Sequence, residues 1–271
     1  MNNDHFSLSG KNILITGATG ILGTQFCHAL ASSGANLALF DIEPKGLNSL
    51  RDALSSEYSS NKFLSYEVDI TDEFEIKKSV SAVIQDFGTI DVLHNNAATK
   101  TKSLAKFLSP FEDYDIDTWK EVMDTNVNGM FLMAKHVGPH MVANGKGSII
   151  QTGSIYGHMA PDQRIYEGSE YNGHKISSPA VYSASKAAVI GLTQYLAAYW
   201  GKNGIRVNTL TPGGVESGQN EEFSKKYSNR VPLGRMAEAN DLTGALVFLC
   251  SDASSYITGQ NLIVDGGLSC W

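Results

Sequence analysis

The sequence predicts an α/β fold in which one doubly wound parallel sheet carries helices on both faces. Short apolar runs alternate with longer amphipathic stretches along the chain. The apolar runs read as nearly continuous Ile, Leu and Val, the pattern of strands buried on both faces. A glycine-rich turn joins the first such run to the first amphipathic stretch, as at the opening of a βαβ unit.

The elements follow in order. Asn12–Thr16 reads as the first strand, and the glycines behind it lead into a helix over 22–32. Asn36–Asp41 is the second strand, followed by a helix over 45–58. Residues 63–68 and 72–87 repeat the unit. The fourth strand, 90–94, is followed by a polar excursion over 99–117 and then one long helix over 118–143. The fifth strand, 148–152, precedes a second excursion over 157–179 and a helix over 181–200. Strand 206–210, helix 238–249 and strand 262–264 complete the chain. Right-handed crossovers between parallel strands distribute these helices to both faces. No repeat, low-complexity tract or long linker interrupts the pattern, so residues 1–271 read as one domain with an insert at about 157–179.

Bulk properties narrow the function. Hydrophobic residues make up 42% of 271, enough for a large core. A net charge of −7 argues against a broad grip on nucleic acid or an anionic membrane. The polar start, Met1 to Gly10, has no signal-peptide core, and no run of about twenty apolar residues exists. Cys27, Cys250 and Cys270 are scattered without metal-ligand spacing, which favours reduced thiols, no metal site and a cytoplasmic location.

Two local patterns carry chemistry. Gly17-Ala18-Thr19-Gly20-Ile21-Leu22-Gly23 lies between a strand and a helix. Glycines let backbone approach a ligand closely, and the free amides of the helix start suit a pyrophosphate. Asp41 closes the second strand, eighteen residues after Gly23. A carboxylate there can accept from both adenosine ribose hydroxyls and repels a 2′-phosphate, so NAD is expected over NADP. Asp69, after the third strand, is placed to reach adenine, but a turn or helix-capping role is nearly as good a reading. The second pattern is Tyr182 and Lys186, four residues apart on one helix face. A phenol beside a fixed cation gives up its proton more readily than free tyrosine.

With these residues assembled, the chain resembles the short-chain dehydrogenase/reductase family from about Ser7 to Gly267. The resemblance rests on the glycine loop, Asp41, Asp69, Asn95-Asn96-Ala97-Ala98, Asn126, Ser154, Tyr182 with Lys186, Arg206-Val207-Asn208, Pro212-Gly213 and the ending Asp265-Gly266-Gly267. It implies a seven-stranded Rossmann domain, assembled as a homotetramer or homodimer, that moves hydride between a nicotinamide and a carbon bearing hydroxyl or carbonyl. Tyr182 is then the acid–base group. Lys186 lowers its pKa and holds the nicotinamide ribose. Ser154 bonds the substrate oxygen, and Asn126 holds a water that links Lys186 to solvent. The implied cofactor contacts are the loop residues Gly17, Thr19, Gly20, Ile21, Leu22 and Gly23, then Asp41, Asp69 and Ile70, then Asn96, Ala97 and Ala98. Tyr182, Lys186, Pro212, Gly213, Val215 (through its backbone) and Ser217 complete the set. Two departures stand out: the middle glycine is Gly20 where this branch usually has it one residue later, and Ala98 replaces a usual glycine.

Tyr182 follows Ser154 by twenty-eight positions, a longer connection than the family usually has. The hydrogen-bonding groups of that insert suit a polyhydroxylated substrate, a sugar, polyol or activated sugar. The insert is similar to that of oxidoreductases in bacterial flagellin-sugar and nonulosonic-acid pathways. A 3-oxoacyl-carrier-protein reductase is the alternative in the same class, and Asp41 and the negative charge count against it. A non-catalytic dinucleotide sensor or scaffold is the alternative outside it.

Overall fold

The computed structural model describes residues 5–271. In chain order the elements begin β1 (Asn12–Thr16), α1 (Ile21–Ser32), β2 (Asn36–Asp41), α2 (Pro44–Glu57), β3 (Phe63–Glu67), α3 (Glu73–Phe87) and β4 (Val92–Asn95). They continue with a single turn, α4 (Leu104–Phe107), then α5 (Ile116–Met123), α6 (Met130–Asn144) and β5 (Gly147–Thr152). After a two-stranded hairpin, β6 (Glu170–Tyr171) and β7 (His174–Lys175), come α7 (Ala180–Trp200), β8 (Ile205–Pro212), α8 (Glu221–Ser228), α9 (Thr243–Cys250) and β9 (Asn261–Val264).

Seven strands form one parallel sheet in the order β3-β2-β1-β4-β5-β8-β9. Because successive strand residues point to opposite faces, each strand feeds two cores. Ile13, Ile15, Leu37 and Leu39 pack with Phe26 and Leu30 of α1 and with Leu246 and Leu249 of α9. Leu14, Ala38 and Phe40 pack on the other face with Val80 of α3, Val137 of α6 and Leu196 of α7. Burying each of these large side chains is worth about 1.5–3 kcal/mol. Helix starts are specified locally as well: Asp72 caps α3 by accepting from the amides of Phe74 and Glu75.

The chain winds outward from β1 to β3 and then returns to place β4 on the other side of β1. Ligands of such sheets bind outside the carboxyl ends of the strands at this reversal.

Three features differ from expectation. The helix expected over 118–143 is interrupted: a six-residue π-helical widening, Asp124–Gly129, separates α5 from α6. Within it, a Cβ on Gly129 would stand 2.6 Å from Ile70 Cδ1, so the backbone passes close to the loop between β3 and α3. The insert is not structureless. It holds a 3-10 turn and the β6–β7 hairpin, and Ile165 and Tyr166 are buried with Phe223 and Tyr227 of α8 in a small third core. Finally, α8 and the short α4 were not expected at all.

Candidate active site

A cleft of about 1130 Å³ opens at the carboxyl ends of β1 and β4. It is slightly larger than the roughly 300–1,000 Å³ range of ligand pockets. Every residue expected to contact the cofactor borders it, and so do Ser154, Tyr182 and Lys186. Asn126 does not; it lies behind the wall.

The glycine loop shapes one end. Gly17 has φ +65°, and a Cβ on it would sit 2.7 Å from Ala97 Cα. Gly23 is tighter still: its Cβ would overlap the Gly17 carbonyl. These two glycines are demanded by packing. Gly20 is not, because a Cβ there meets only the Gly17 oxygen, at 3.4 Å. Gly20 instead begins α1 without any side-chain cap, so the first amides of a twelve-residue helix stay open to the cleft. An uncapped helix start beside a glycine-made cradle fits the pyrophosphate of a dinucleotide.

Strand β4 is stitched to this loop. Thr16 Oγ1 accepts from the amides of Asn96 (3.0 Å) and Ala97 (3.1 Å). Asn96 Nδ2 donates to the carbonyls of Thr16 and Gly17, both at 3.2 Å.

Asp41 borders the cleft with its carboxylate held by protein donors. Oδ2 accepts from Thr19 N (2.9 Å) and Thr19 Oγ1 (2.7 Å), and Oδ1 accepts from Ile42 N (2.8 Å) and Glu43 N (3.3 Å). The link to Thr19 was not anticipated. Asp69 also borders the cleft, and its Oδ1 accepts from Thr71 N (2.8 Å) and Thr71 Oγ1 (2.7 Å), the turn role weighed for it from sequence.

At the other end, α7 presents Tyr182 and Lys186. Lys186 is 2% exposed, and its Nζ donates to the Thr152 carbonyl at 2.9 Å. Burial draws its pKa down to about 8. The Nζ stands 6.0 Å from the centroid of the Tyr182 ring. The lowering of the phenol pKa expected from Lys186 is not what the protein groups produce. Burial instead raises Tyr182 above its ordinary value, and the Ser154 hydroxyl is what draws it back. The reason is geometric: the ammonium is turned to a carbonyl and the phenol to a hydroxyl.

Asn126 sits in the π-helical widening, fully buried. Its Oδ1 accepts from Thr99 N (3.0 Å) and its Nδ2 donates to Ser185 Oγ (3.3 Å), which in turn donates to the Tyr182 carbonyl at 2.9 Å. It therefore braces the loop after β4 against α7.

Beyond β8, Gly213 passes so close to Asp265 that a Cβ would stand 2.8 Å from its Cα. Ser217 N donates to Gln219 Oε1 (2.7 Å), and Gln219 Nε2 returns a bond to the Val215 carbonyl (3.1 Å).

Sequence reasoning missed several cleft residues: Tyr156, Gln219, Phe223, Tyr227 and Met236. Phe223 and Tyr227 were findable. Asn220 followed by Glu221 and Glu222, with Lys225 and Lys226 behind, is an N-cap and dipole signature for a helix.

Comparison with known proteins agrees with this architecture. Residues 17–269 match the family model described as enoyl-(acyl carrier protein) reductase. The chain is 33% identical over 272 residues to a gluconate 5-dehydrogenase of Gluconobacter oxydans, covering 98% of this chain and 97% of that one. A crystal structure of a gluconate 5-dehydrogenase from Burkholderia cenocepacia in complex with NADP and tartrate superposes with a TM-score of 0.86 at 30% identity, over 99% of this chain and 98% of that one. A short-chain dehydrogenase from Leptospira borgpetersenii with bound NAD⁺ superposes with a TM-score of 0.84 at 35% identity, over 99% and 96% of the two chains. The cleft, the glycine loop and the Tyr182–Lys186 pair thus define a nucleotide-dependent oxidoreductase of the doubly wound class. Within that class, the chain belongs to the short-chain dehydrogenase/reductase family.

Proposed function

We propose that this enzyme oxidises a secondary hydroxyl of a polyhydroxylated substrate (a sugar, polyol or activated sugar), or reduces the corresponding ketone, with NAD(H) as cofactor. One observation carries the reading: Ser154, Tyr182 and Lys186 border the same cleft as the uncapped start of α1. When bound, the nicotinamide supplies the hydride acceptor or donor. Tyr182 takes the substrate hydroxyl proton as the carbon gives up hydride, and returns it in the reverse direction. Without bound cofactor its raised pKa favours the protonated form needed for reduction; the positive charge of an oxidised nicotinamide beside it would favour the phenolate needed for oxidation. The Ser154 hydroxyl steadies the substrate oxygen. Lys186, with its pKa near 8, keeps a positive charge beside the site. Asn126 holds the loop and helix that position these groups.

Preference for NAD is supported by Asp41, which borders the cleft and is followed in sequence by Ile42 and Glu43 rather than by an Arg or Lys that could meet a 2′-phosphate. A polar substrate is supported by Tyr156, Gln219 and Lys100 in the cleft wall, and by similarity to an enzyme named for gluconate. The insert at about 157–179, packed on α8, forms that side of a single-domain chain. The reading includes a homodimer or homotetramer, supported by the exposed, stacked Tyr195 and Tyr199 on α7. It also includes a cytoplasmic location, supported by three free thiols. Among the described residues, no helix is long and apolar enough to cross a membrane.

The test is a screen of polyols, sugars and sugar acids with NAD⁺, followed by nicotinamide absorbance, beside Tyr182→Phe. Acid–base catalysis contributes roughly 10²–10⁴-fold, so the variant should lose at least about 100-fold in kcat/KM while still binding NAD⁺. Binding of NAD⁺ without turnover on any substrate would favour a dinucleotide sensor.

A further inference from the structure

The fourth strand carries a polar residue where packing calls for an apolar one. His94 is fully buried, its strand partners are Ile15 and Ile150, and its ring lies 5.1 Å from that of Phe26. Its Nε2 is 2.9 Å from Thr152 Oγ1, while its Nδ1 has no partner. An unpaired buried nitrogen calls for a reason.

The surrounding bonds fix the direction of each proton. Asn96 cannot turn its amide over, because Nδ2 donates to the carbonyls of Thr16 and Gly17. Its Oδ1 therefore faces Thr152 Oγ1, at 3.3 Å, and needs a donor. Thr152 has one hydroxyl proton. If that proton went to His94, Asn96 Oδ1 would face a lone pair and the ring would bury an unpaired N–H. If His94 carries its proton on Nε2, the hydroxyl accepts from the ring and donates to Asn96. Only an Nδ1 lone pair is then left over. Burial draws the His94 pKa down to about 3, so the ring stays neutral.

Thr152 is also the residue whose carbonyl receives Lys186 Nζ. One residue thus joins both ends of the cleft, the glycine loop through its hydroxyl on Asn96 and the lysine through its backbone carbonyl. We propose that His94 is a positioning residue for the dinucleotide: its Nε2–H locks Thr152 onto Asn96 and so sets the glycine loop and Lys186 in register. The inference rests on the reading of the cleft as a dinucleotide site.

Two measurements test it. The ¹⁵N ring shifts of His94 in the wild-type enzyme should show a protonated Nε2, a bare Nδ1 and no titration between about pH 5.5 and 8.5. An Nδ1–H tautomer overturns the proposal. Second, His94→Val should raise the NAD⁺ dissociation constant by about three- to tenfold, the scale of one lost buried hydrogen bond, with kcat at saturating NAD⁺ changed less than about twofold. His94→Gln, which restores an N–H, should recover much of the affinity. If His94→Val does not fold, Thr152→Val should show the same loss, and Thr152→Ser should recover it. Unchanged NAD⁺ affinity in the folded variants, beside a wild type that binds NAD⁺, overturns the positioning role alone. A wild type that does not bind NAD⁺ overturns both this role and the dinucleotide reading.

Discussion

The ammonium of Lys100 lies 3.0 Å from the phenolic oxygen of Tyr171 and 4.1 Å from the centroid of its ring. The contact joins the loop after β4 to the hairpin of the insert. Tyr171 also bridges to Gln219 in the loop after β8. Lys100 and Gln219 both border the cleft, so the hairpin is clasped from two sides at the substrate end. A cation–π contact of this kind is worth about 0.5–1 kcal/mol at exposed sites. That is enough to bias the hairpin, and too little to hold the fold.

Removing the clasp should therefore act on substrate and leave the cofactor alone. Tyr171→Ala and Lys100→Ala are each expected to raise the substrate KM about three- to tenfold, with the NAD⁺ KM unchanged. Steady-state kinetics with each reactant varied in turn measures this. Equal changes in both KM values would mean that the hairpin serves the whole cleft.

The carboxylate of Asp41 should decide between the two cofactors. Hydrogen bonds to a charged group are worth about 1.5–3 kcal/mol, so Asp41→Ser should cost roughly 10- to 150-fold in kcat/KM with NAD⁺. It should cost far less with NADP⁺, because the charge that repels a 2′-phosphate is gone. Thr19→Val removes one donor from Asp41 Oδ2 and should give a smaller loss of the same kind. Parallel assays with both cofactors read the ratio.

Much of this cleft is legible in the sequence alone. The order of the strands and the place of the glycine loop follow from apolar runs and turn chemistry, because strands buried on both faces admit few other residues. Ser154, Tyr182 and Lys186 stand out by their spacing and context, and the fold brings all three to one cleft. What escaped was short or depended on other segments. The turn Asn172-Gly173, with φ of 48° and 76°, is a two-residue hairpin signal that was present but unread inside a polar excursion. The break at Asp124–Gly129 was not readable locally, since the contact of Gly129 with Ile70 is made across the fold. The orientation of Lys186 is not readable locally either: which way a buried ammonium turns depends on the carbonyl offered by β5.

The glycine loop gives a contrast that separates packing from binding. Gly17→Ala places a methyl against Ala97 at a left-handed φ, and should lower the melting temperature by several degrees. Gly20→Ala meets only the Gly17 carbonyl at 3.4 Å and should melt close to wild type. Its methyl should nevertheless weaken NAD⁺ binding by about tenfold, because it stands at the open start of α1. Calorimetric melts with and without NAD⁺ distinguish the two effects. A normal NAD⁺ affinity in Gly20→Ala would place the pyrophosphate elsewhere.

The buried ammonium of Lys186 makes stability depend on pH with a definite sign. In the folded chain its pKa is about 8, because burial disfavours the charged form; unfolded lysine titrates near pH 10.4. Below pH 8 both states carry the proton, and the full cost of burying the charge weighs on the fold. Between pH 8 and about 10 the folded lysine has released its proton while the unfolded one keeps it. The unfolded chain then binds more protons, so the cost is relieved as pH rises. Its full size is on the order of 3 kcal/mol. Lys186→Met carries no such cost. The stability gap in favour of that variant should be widest below pH 8 and should shrink steadily toward pH 10. Tyr182, with its pKa raised, works in the opposite direction only above the ordinary tyrosine range, so the window is clear of it. Urea unfolding of both proteins at half-unit intervals from about pH 7 to 10 measures the gap. A gap that stays constant across that range would mean that Lys186 is solvated in solution, and the anchor on the Thr152 carbonyl would have to be abandoned.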